Sequence, residues 1–232
     1  ANGVSTSPSN SASQPGGQFP RISFGDMVNS QHRLLVDVLG IDRAAVVLGI
    51  SMGGMQMFDW IGRYPGFMDK AVSIAGTPGM ASHDLLQWNL HKDLILTMRE
   101  YGASDEEIRD LLSRLNLLTL YTPDYFAANV TRDALPKVIS DAAVRADLDD
   151  YVAQIDALVE LDLLADSAYA EHVQAKLLII NTASDHMVTP APGREAAELL
   201  GARYLELDSI CGHIGFGCEV DTVTNHVREF LE

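Results

Sequence analysis

Three residues that lie far apart in the chain, Ser51, Asp185 and His213, are of the types that together form a nucleophilic catalytic group. A serine hydroxyl is a poor nucleophile until an imidazole accepts its proton. A carboxylate must hold that imidazole in the correct tautomer and stabilise its cation. We therefore predict Ser51 as the nucleophile, His213 as the general base and Asp185 as the residue that orients the base.

Ser51 is the central residue of the pentapeptide Gly-Ile-Ser-Met-Gly at residues 49–53, a G-x-S-x-G pattern. The apolar run at residues 44–48 is typical of a strand buried on both faces of a parallel sheet. A helical pattern follows the serine, so the pentapeptide is predicted to form the sharp strand-to-helix turn of a nucleophile elbow. A Cβ at either flanking glycine is expected to clash there. The backbone N–H of Met52, at the helix N-terminus, is predicted to be one oxyanion-hole donor.

Asp185 and His213 each follow a strand signal, at residues 177–181 and 204–207 respectively. The carboxyl ends of parallel strands meet at one edge of a sheet, where Ser51 is also expected. Taken alone, an aspartate in a Ser-Asp loop is usually a turn former, and one histidine is usually a surface or core residue. His186 is the alternative base. It is disfavoured because it is adjacent to Asp185 and could hardly reach Ser51 as well.

The arrangement of strand and helix signals predicts an α/β protein with a mostly parallel sheet. Strand signals at residues 44–48, 71–75, 177–180 and 204–207 alternate with helical patterns, whereas residues 79–170 carry helical patterns alone. We predict a core formed by residues 1–78 and 171–232, with residues 79–170 inserted as a helical cap over the carboxyl edge of the sheet. Residues 1–20 are polar and rich in Ser, Pro and Gly, so they are predicted to be a loop or arm with almost nothing to bury.

The composition excludes several classes of partner. The formal net charge of −16 repels nucleic acid and anionic lipid surfaces, and no apolar run is long enough to span a membrane. The simplest expectation is a cytoplasmic protein. The two cysteines, Cys211 and Cys218, do not form a C-x-x-C motif and are predicted to be reduced structural residues. Neither a metal nor a cofactor is expected.

Residues 1–10, 26–35 and 49–56 resemble the homoserine O-acetyltransferase-like branch of the α/β-hydrolase superfamily, and Asp185 and His213 are similar to its acid and base. The chain order Ser, Asp, His is also that of the superfamily. The resemblance implies an α/β-hydrolase fold and the triad roles given above, with a covalent acyl-serine intermediate on Ser51. In these acetyltransferases an arginine of the cap contacts the amino-acid carboxylate, and Asp156 stands in its place here. Tyr151 and Asp156 are therefore predicted to contact substrate, and homoserine is not the expected acceptor.

The same resemblance predicts strands that precede the elbow strand, because the family has several of them before the segment that matches residues 1–10. We expect an N-terminal segment of the same precursor to pair with the elbow strand and to supply the second oxyanion-hole donor. Homodimerisation is left open.

Three functions fit these residues. The first is hydrolysis of a small carboxylic ester or thioester, which needs only the triad and water. The alternative is an acetyl-CoA-dependent O-acetyltransferase, in which acetyl-CoA is a co-substrate. A second alternative is a non-catalytic binding module, whose usual mark is a missing triad member. Since all three members are present, the sequence favours an enzyme that acts on a small-molecule acyl substrate.

Overall fold

The computed structural model describes residues 5–232, and its centre is a parallel sheet of four strands in the order β1-β2-β3-β4. The predicted parallel sheet is therefore confirmed, with each strand within a few residues of its expected bounds. Neighbouring strands pair in register at Leu48 and Val72, at Val72 and Leu178, and at Ile180 and Leu205. The strands are β1 Ala44–Ile50, β2 Met68–Ile74, β3 Lys176–Thr182 and β4 Arg203–Leu207.

Helices connect the strands, and the run α3 to α7 lies between β2 and β3, where the sequence predicts helices alone. A π-helical turn, Leu34–Val38, continues α1. Within residues 5–232, no helix is long and apolar enough to cross a membrane. The helices are α1 Phe24–Arg33, α2 Met52–Arg63, α3 Ser82–Glu100, α4 Asp105–Leu120, α5 Pro123–Asn129, α6 Leu135–Asp141, α7 Leu148–Val159, α8 Tyr169–His172, α9 Ala191–Leu200, α10 Gly215–Cys218 and α11 Val220–Leu231.

Apolar side chains cover both faces of the central strands β2 and β3. On one face, Phe58 and Ile61 of α2 pack with Ile179 in a fully buried cluster. On the other face, Phe230 of α11 packs with residues that include Ile180. Burial on both faces explains why β3 is an almost continuous apolar run.

The strand β1 departs from its prediction, because it is not buried on both faces. Leu48 is 46% exposed and Ile50 is 43% exposed. The apolar run is typical of a central strand, but in the described chain β1 lies at the edge of the sheet and pairs only with β2. One edge of β1 therefore has no strand beside it within residues 5–232.

Residues 5–20 also differ from the prediction of a loop with almost nothing to bury; residues 1–4 lie outside the described part. Ser7 and Ser11 are buried. The hydroxyl groups of Ser7 and Ser9 both donate hydrogen bonds to the carboxylate of Asp150 in α7, at 3.1 and 2.8 Å. Although burial alone would raise the pKa of Asp150, the hydrogen bonds from Ser9 and Ser7 lower it. The segment is thus held by polar contacts, which hydrophobic patterns do not reveal.

The turn from β1 to α2 is built on glycine, but only one of the two predicted positions is constrained. A Cβ at Gly49 would overlap the Gly53 carbonyl, as expected. A Cβ at Gly53 would meet nothing within 4 Å, so that half of the prediction is wrong. The second constrained glycine is Gly54, where a Cβ would lie 2.6 Å from Ser73 Oγ and close to the backbone of Gly76.

These contacts predict opposite effects for two neighbouring substitutions. Gly54→Ala should lower the free energy of unfolding by about 1–3 kcal/mol, because the methyl group overpacks a closed contact. Gly53→Ala, the matched control, should leave it unchanged or raise it by up to about 1 kcal/mol, because alanine favours the helix. Urea unfolding of both variants measures the difference. Equal midpoints would contradict the assignment of the close contact to Gly54.

Candidate active site

Ser51 occupies a strained backbone conformation between the last residue of β1 and the first residue of α2. Its φ is 52° and its ψ is −119°, a region that residues with a side chain rarely adopt. The Ser51 N–H donates to the Ile74 carbonyl at 2.7 Å, which extends the pairing of β1 with β2 by one residue. The turn thereby projects the side chain of Ser51 from the carboxyl edge of the sheet, as a nucleophile elbow does.

A chain of hydrogen bonds links the three predicted catalytic side chains. His213 Nδ1 lies 2.7 Å from Asp185 Oδ2, and His213 Nε2 lies 2.8 Å from Ser51 Oγ. Because a carboxylate can only accept, Nδ1 carries the ring proton and Nε2 is free to accept from the serine hydroxyl. Asp185 and His213 are buried, at 2% and 5% exposure, so these bonds form largely away from water.

The carboxylate of Asp185 is held by the backbone of its own loop. The N–H groups of Met187 and Val188 donate to Asp185 Oδ1 at 2.8 and 2.9 Å, which leaves Oδ2 for His213. The loop is also tied to α3, because Thr189 donates hydrogen bonds to the buried carboxylate of Asp84. Burial raises the pKa of Asp84. The sequence does not indicate this contact of Asp84, because a lone aspartate near the start of a helix usually caps that helix.

The loop that carries His213 is closed by a disulfide between Cys211 and Cys218. The prediction that these cysteines are reduced is therefore wrong. It rested on the lack of a C-x-x-C motif or of a disulfide framework, and the spacing does not reveal that the turn and the short helix α10 bring residue 218 back to residue 211. Their Cα atoms are 6.5 Å apart. The bridge encloses His213, while Cys211 is buried and Cys218 is exposed.

Gly212 lies between Cys211 and His213, and its conformation fixes the backbone there. Its φ is 64°, and a Cβ there would lie 2.6 Å from the carbonyl oxygen of Leu120. The end of α4 therefore packs directly against the residue that precedes His213. Only glycine fits this turn without strain.

The other predicted site residues near the triad, Met52 and His186, lie in different surroundings. Met52 is the first residue of α2, so its N–H points from the helix N-terminus beside Ser51. His186 is exposed, and the ring nitrogen within hydrogen-bond distance of Ser51 Oγ belongs to His213. Among residues 5–232, no group of three or more His, Cys, Asp or Glu side chains could hold a metal ion.

Tyr151 and Asp156 lie on different sides of α7. The Tyr151 hydroxyl lies 3.2 Å from the side-chain amide of Asn116, and Tyr151 lines a cavity of about 650 Å³ within the helical insertion. Asp156 forms an ion pair with Lys92 and lines a separate cavity beside residues 16–22. Of the two, only Tyr151 shares an apolar cluster with Met52, next to the nucleophile.

The disulfide predicts a dependence of activity on reduction. Dithiothreitol should attack the exposed Cys218 sulfur, release the Cys211 thiolate and finally leave two thiols and oxidised dithiothreitol. Without this link the His213 loop should lose its alignment, and kcat toward a small activated ester should fall by about tenfold or more. Turnover before and after reduction, with thiols counted on the same sample, measures the effect.

The matched control is the double variant Cys211→Ser with Cys218→Ser. It should have the low activity of the reduced enzyme and should not respond to dithiothreitol. Full activity of a wild-type sample that titrates with two thiols would contradict a positioning role for the bridge.

Comparison with known proteins places these residues in a family. The alpha/beta hydrolase fold family matches residues 1–217. The chain is 27% identical to an ethyl acetate hydrolase of Pseudomonas veronii, over 99% of this chain and 73% of that protein. It is also 27% identical to a homoserine O-acetyltransferase of Methanococcoides burtonii, over 94% of this chain and 51% of that protein.

Solved structures agree with this assignment. The acetyl esterase MekB superposes with a TM-score of 0.89 at 25% identity, over 99% of this chain and 74% of that one. A homoserine O-acetyltransferase from Bacillus anthracis superposes with a TM-score of 0.80 at 18% identity, over 94% of this chain and 67% of that one, which shows the shared fold. With a parallel sheet, a serine at the strand-to-helix turn and a match over most of its length, this chain belongs to the alpha/beta hydrolase fold family.

Proposed function

We propose that this protein hydrolyses esters of short carboxylic acids, acetate esters in particular, through an acyl-serine formed on Ser51. The observation that carries the proposal is the unbroken hydrogen-bond chain from Ser51 through His213 to Asp185, which begins on a strained serine. This arrangement activates a hydroxyl for attack on a carbonyl carbon.

Each step follows from the positions of these side chains. Ser51 Oγ attacks the ester carbonyl carbon while His213 Nε2 takes the hydroxyl proton. Asp185 stabilises the resulting imidazolium through Nδ1, and the Met52 N–H donates to the oxyanion. The imidazolium then protonates the departing alcohol, and the Ser51 acyl ester remains. Water, activated by the neutral His213, releases the acid and restores the serine.

The short acyl group is inferred from the relatives. An ethyl acetate hydrolase and an acetyl esterase each align with 99% of this chain, and both names specify acetate esters. Extension of this substrate to the present chain rests on identities of 27% and 25%. Transfer to water needs no further site beyond the triad and the oxyanion donors.

Acetyl-CoA-dependent O-acetyl transfer is the alternative, and the homoserine O-acetyltransferase relative favours it. It would use the same acyl-serine, with acetyl-CoA as co-substrate. Free thiol release from acetyl-CoA, measured with and without homoserine, separates the two reactions. Thiol release that requires the amino alcohol would replace hydrolysis as the function.

We further propose that residues 79–170 act as a cap that selects substrates above Ser51. Cytoplasmic location stays a prediction, and the Cys211–Cys218 disulfide argues against it because disulfides are rare in reducing compartments.

A comparison of two histidines tests the assignment of the base. His213→Ala should reduce kcat for ethyl acetate by about 10⁴-fold, because the serine loses its proton acceptor. Ser51→Ala should be as severe, and the double variant no worse, because the residues act as one unit. His186→Ala, the matched control on the exposed neighbour of Asp185, should retain near-native turnover. The reverse ranking of the histidines would move the base to His186.

We also propose that a strand from an N-terminal segment of the same precursor covers the open edge of β1. Leu48 and Ile50 are half exposed there, and Leu48 also lines an open apolar cavity of about 520 Å³ beside α11. Unpaired backbone groups next to an apolar face favour aggregation unless they are covered. Such a segment could also supply the second oxyanion-hole donor.

Intact mass and native size of the active protein test this pairing. Material labelled on Ser51 by a fluorophosphonate should contain a second polypeptide, or a chain longer than these residues. A second copy of this chain seated on β1 would give a homodimer and would contradict the proposal. A monomeric, stable and active species of 25.2 kDa would contradict it as well.

A further inference from the structure

The helical insertion lines a cavity of about 650 Å³, partly open to solvent, that the proposed mechanism does not use. We call it the cap cavity. Residues of α3, α4, α5, α6 and α7 line it, together with Met187 from the loop after Asp185. Its wall is strongly aromatic: the Tyr121 and Tyr125 rings stack at 4.2 Å, and Phe126 meets both edge-on. Flat ring surfaces of this kind suit an aromatic ligand.

The cap cavity borders residues next to all three members of the triad. Met187, in its wall, donates its N–H to Asp185. Trp88 and Tyr151, also in its wall, belong to the apolar cluster that contains Met52, the neighbour of Ser51.

The cap cavity also adjoins the loop that carries His213. The backbone at Leu120 and Tyr121 packs against Gly212, the residue before His213. The cap cavity therefore lies next to residues that contact or flank Ser51, Asp185 and His213.

One end of the cap cavity is polar, and its hydrogen bonds define which atoms are available to a ligand. His91 is buried, with Nδ1 2.8 Å from the Gln87 carbonyl oxygen. That oxygen only accepts, so Nδ1 carries the ring proton. Burial lowers the pKa of His91 and keeps the ring neutral, so Nε2 must accept from the Asn116 amide atom 2.9 Å away. That atom is consequently the nitrogen of Asn116, since the two ends of an amide side chain exchange by rotation.

This orientation determines the role of Tyr151. The Asn116 NH₂ group, which already donates to His91, donates its second proton to the Tyr151 oxygen 3.2 Å away. The Tyr151 hydroxyl proton then has no acceptor among residues 5–232. Burial raises the pKa of Tyr151, so the hydroxyl stays protonated and remains a donor.

A second donor in the wall is also without a partner. Trp88 is 91% buried, and its Nε1–H makes no hydrogen bond within the described chain. A buried donor without an acceptor is unfavourable unless a ligand or water supplies one. Two unpaired donors within an aromatic wall call for a ligand with an oxygen acceptor on an aromatic group.

We infer that the cap cavity binds the alcohol portion of the substrate, an inference that rests on the proposed ester hydrolysis. The alcohol is aromatic and carries an oxygen acceptor for the Tyr151 hydroxyl. The short acyl group stays at Ser51, and the ring of the alcohol lies between Trp88 and the stacked tyrosines. Acetates of oxygen-substituted benzyl alcohols are the class that fits.

Two isosteric acetates test the inference. In 4-methoxybenzyl acetate an ether oxygen replaces one CH₂ group of 4-ethylbenzyl acetate, so the pair differs only in the acceptor. In the wild type, KM for the methoxy ester should be about threefold to tenfold lower than for the ethyl ester, as expected for one hydrogen bond. In Tyr151→Phe the two KM values should be equal, because the hydroxyl that donates to the ether oxygen is gone. The ratio of the two KM values is taken within each variant, so each variant serves as its own reference. The control Tyr101→Phe, which changes a tyrosine that is 85% exposed, should keep the wild-type ratio.

The outcomes separate this inference from the proposed function. If ethyl acetate is hydrolysed but neither benzyl ester has a higher kcat/KM, the cap cavity is not the alcohol site. A KM ratio that is the same in wild type and Tyr151→Phe overturns the role of the hydroxyl. If no ester is hydrolysed, the proposed function fails, and binding alone then tests the cavity.

That binding test uses tryptophan emission, since the chain has two tryptophans, Trp60 and Trp88. Titration with 4-methoxybenzyl alcohol should change the emission of the wild type in a saturable manner. It should not do so in Trp88→Phe, where only Trp60 of the core remains. Absence of a saturable change in the wild type, or the same change in Trp88→Phe, overturns the inference.

Discussion

The close approach of α2 to the ends of β1 and β2 is the constraint on which the candidate site depends. It brings the backbone of Gly54 against that of Gly76, with no room for a Cβ on either. The residues that follow these strands, Ser51 and Ala75, both have positive φ values, 52° and 51°. Each is held by a hydrogen bond that extends the sheet by one residue, from Ser51 N to Ile74 O and from Ala75 N to Ile180 O, both 2.7 Å. Strain at Ser51 is thus maintained by the hydrogen bonds of the parallel sheet.

The helical insertion also supports the loops that carry Asp185 and His213. Asp84 of α3 binds Thr189 in the acid loop. Thr122, at the start of α5, donates to the Ile210 carbonyl in the base loop, and Leu120 packs on Gly212. Movement of these helices would therefore move His213 and Asp185. Under the proposal that the insertion selects substrates, that selection and the alignment of His213 are coupled through the same elements.

The sequence predicts the parts of this protein that follow from short-range patterns. The four strands follow from local apolar runs, and the structure has all four. Ser51, Asp185 and His213 could be brought together in advance because parallel strands end at one edge, and the structure places them within hydrogen-bond distance. Their catalytic role stays a prediction.

Other features depend on spatial proximity that no short pattern encodes. The apolar run of β1 resembles that of a central strand, and whether a strand lies beside it is not a property of the run itself. The need for glycine at 54 instead of 53 depends on where β2 ends, and the link between Ser9 and Asp150 joins polar residues 141 positions apart. The Cys211–Cys218 bridge depends on the path of a short turn that helical and strand periodicities do not describe.

The cap cavity shows the same limit in a form that bears on specificity. Apolar and aromatic residues in an amphipathic helix indicate burial. They do not indicate whether the side chain packs against another side chain or lines a cavity. Ile95 and Leu112 pack against each other's helices, whereas Tyr121 and Tyr125 face a void. The catalytic chemistry of this fold is set by the edge of the sheet, where few residue types are allowed. Under the proposal that the insertion selects substrates, that selection depends on helices whose sequence needs only to remain amphipathic, so the apolar pattern does not encode which alcohol fits.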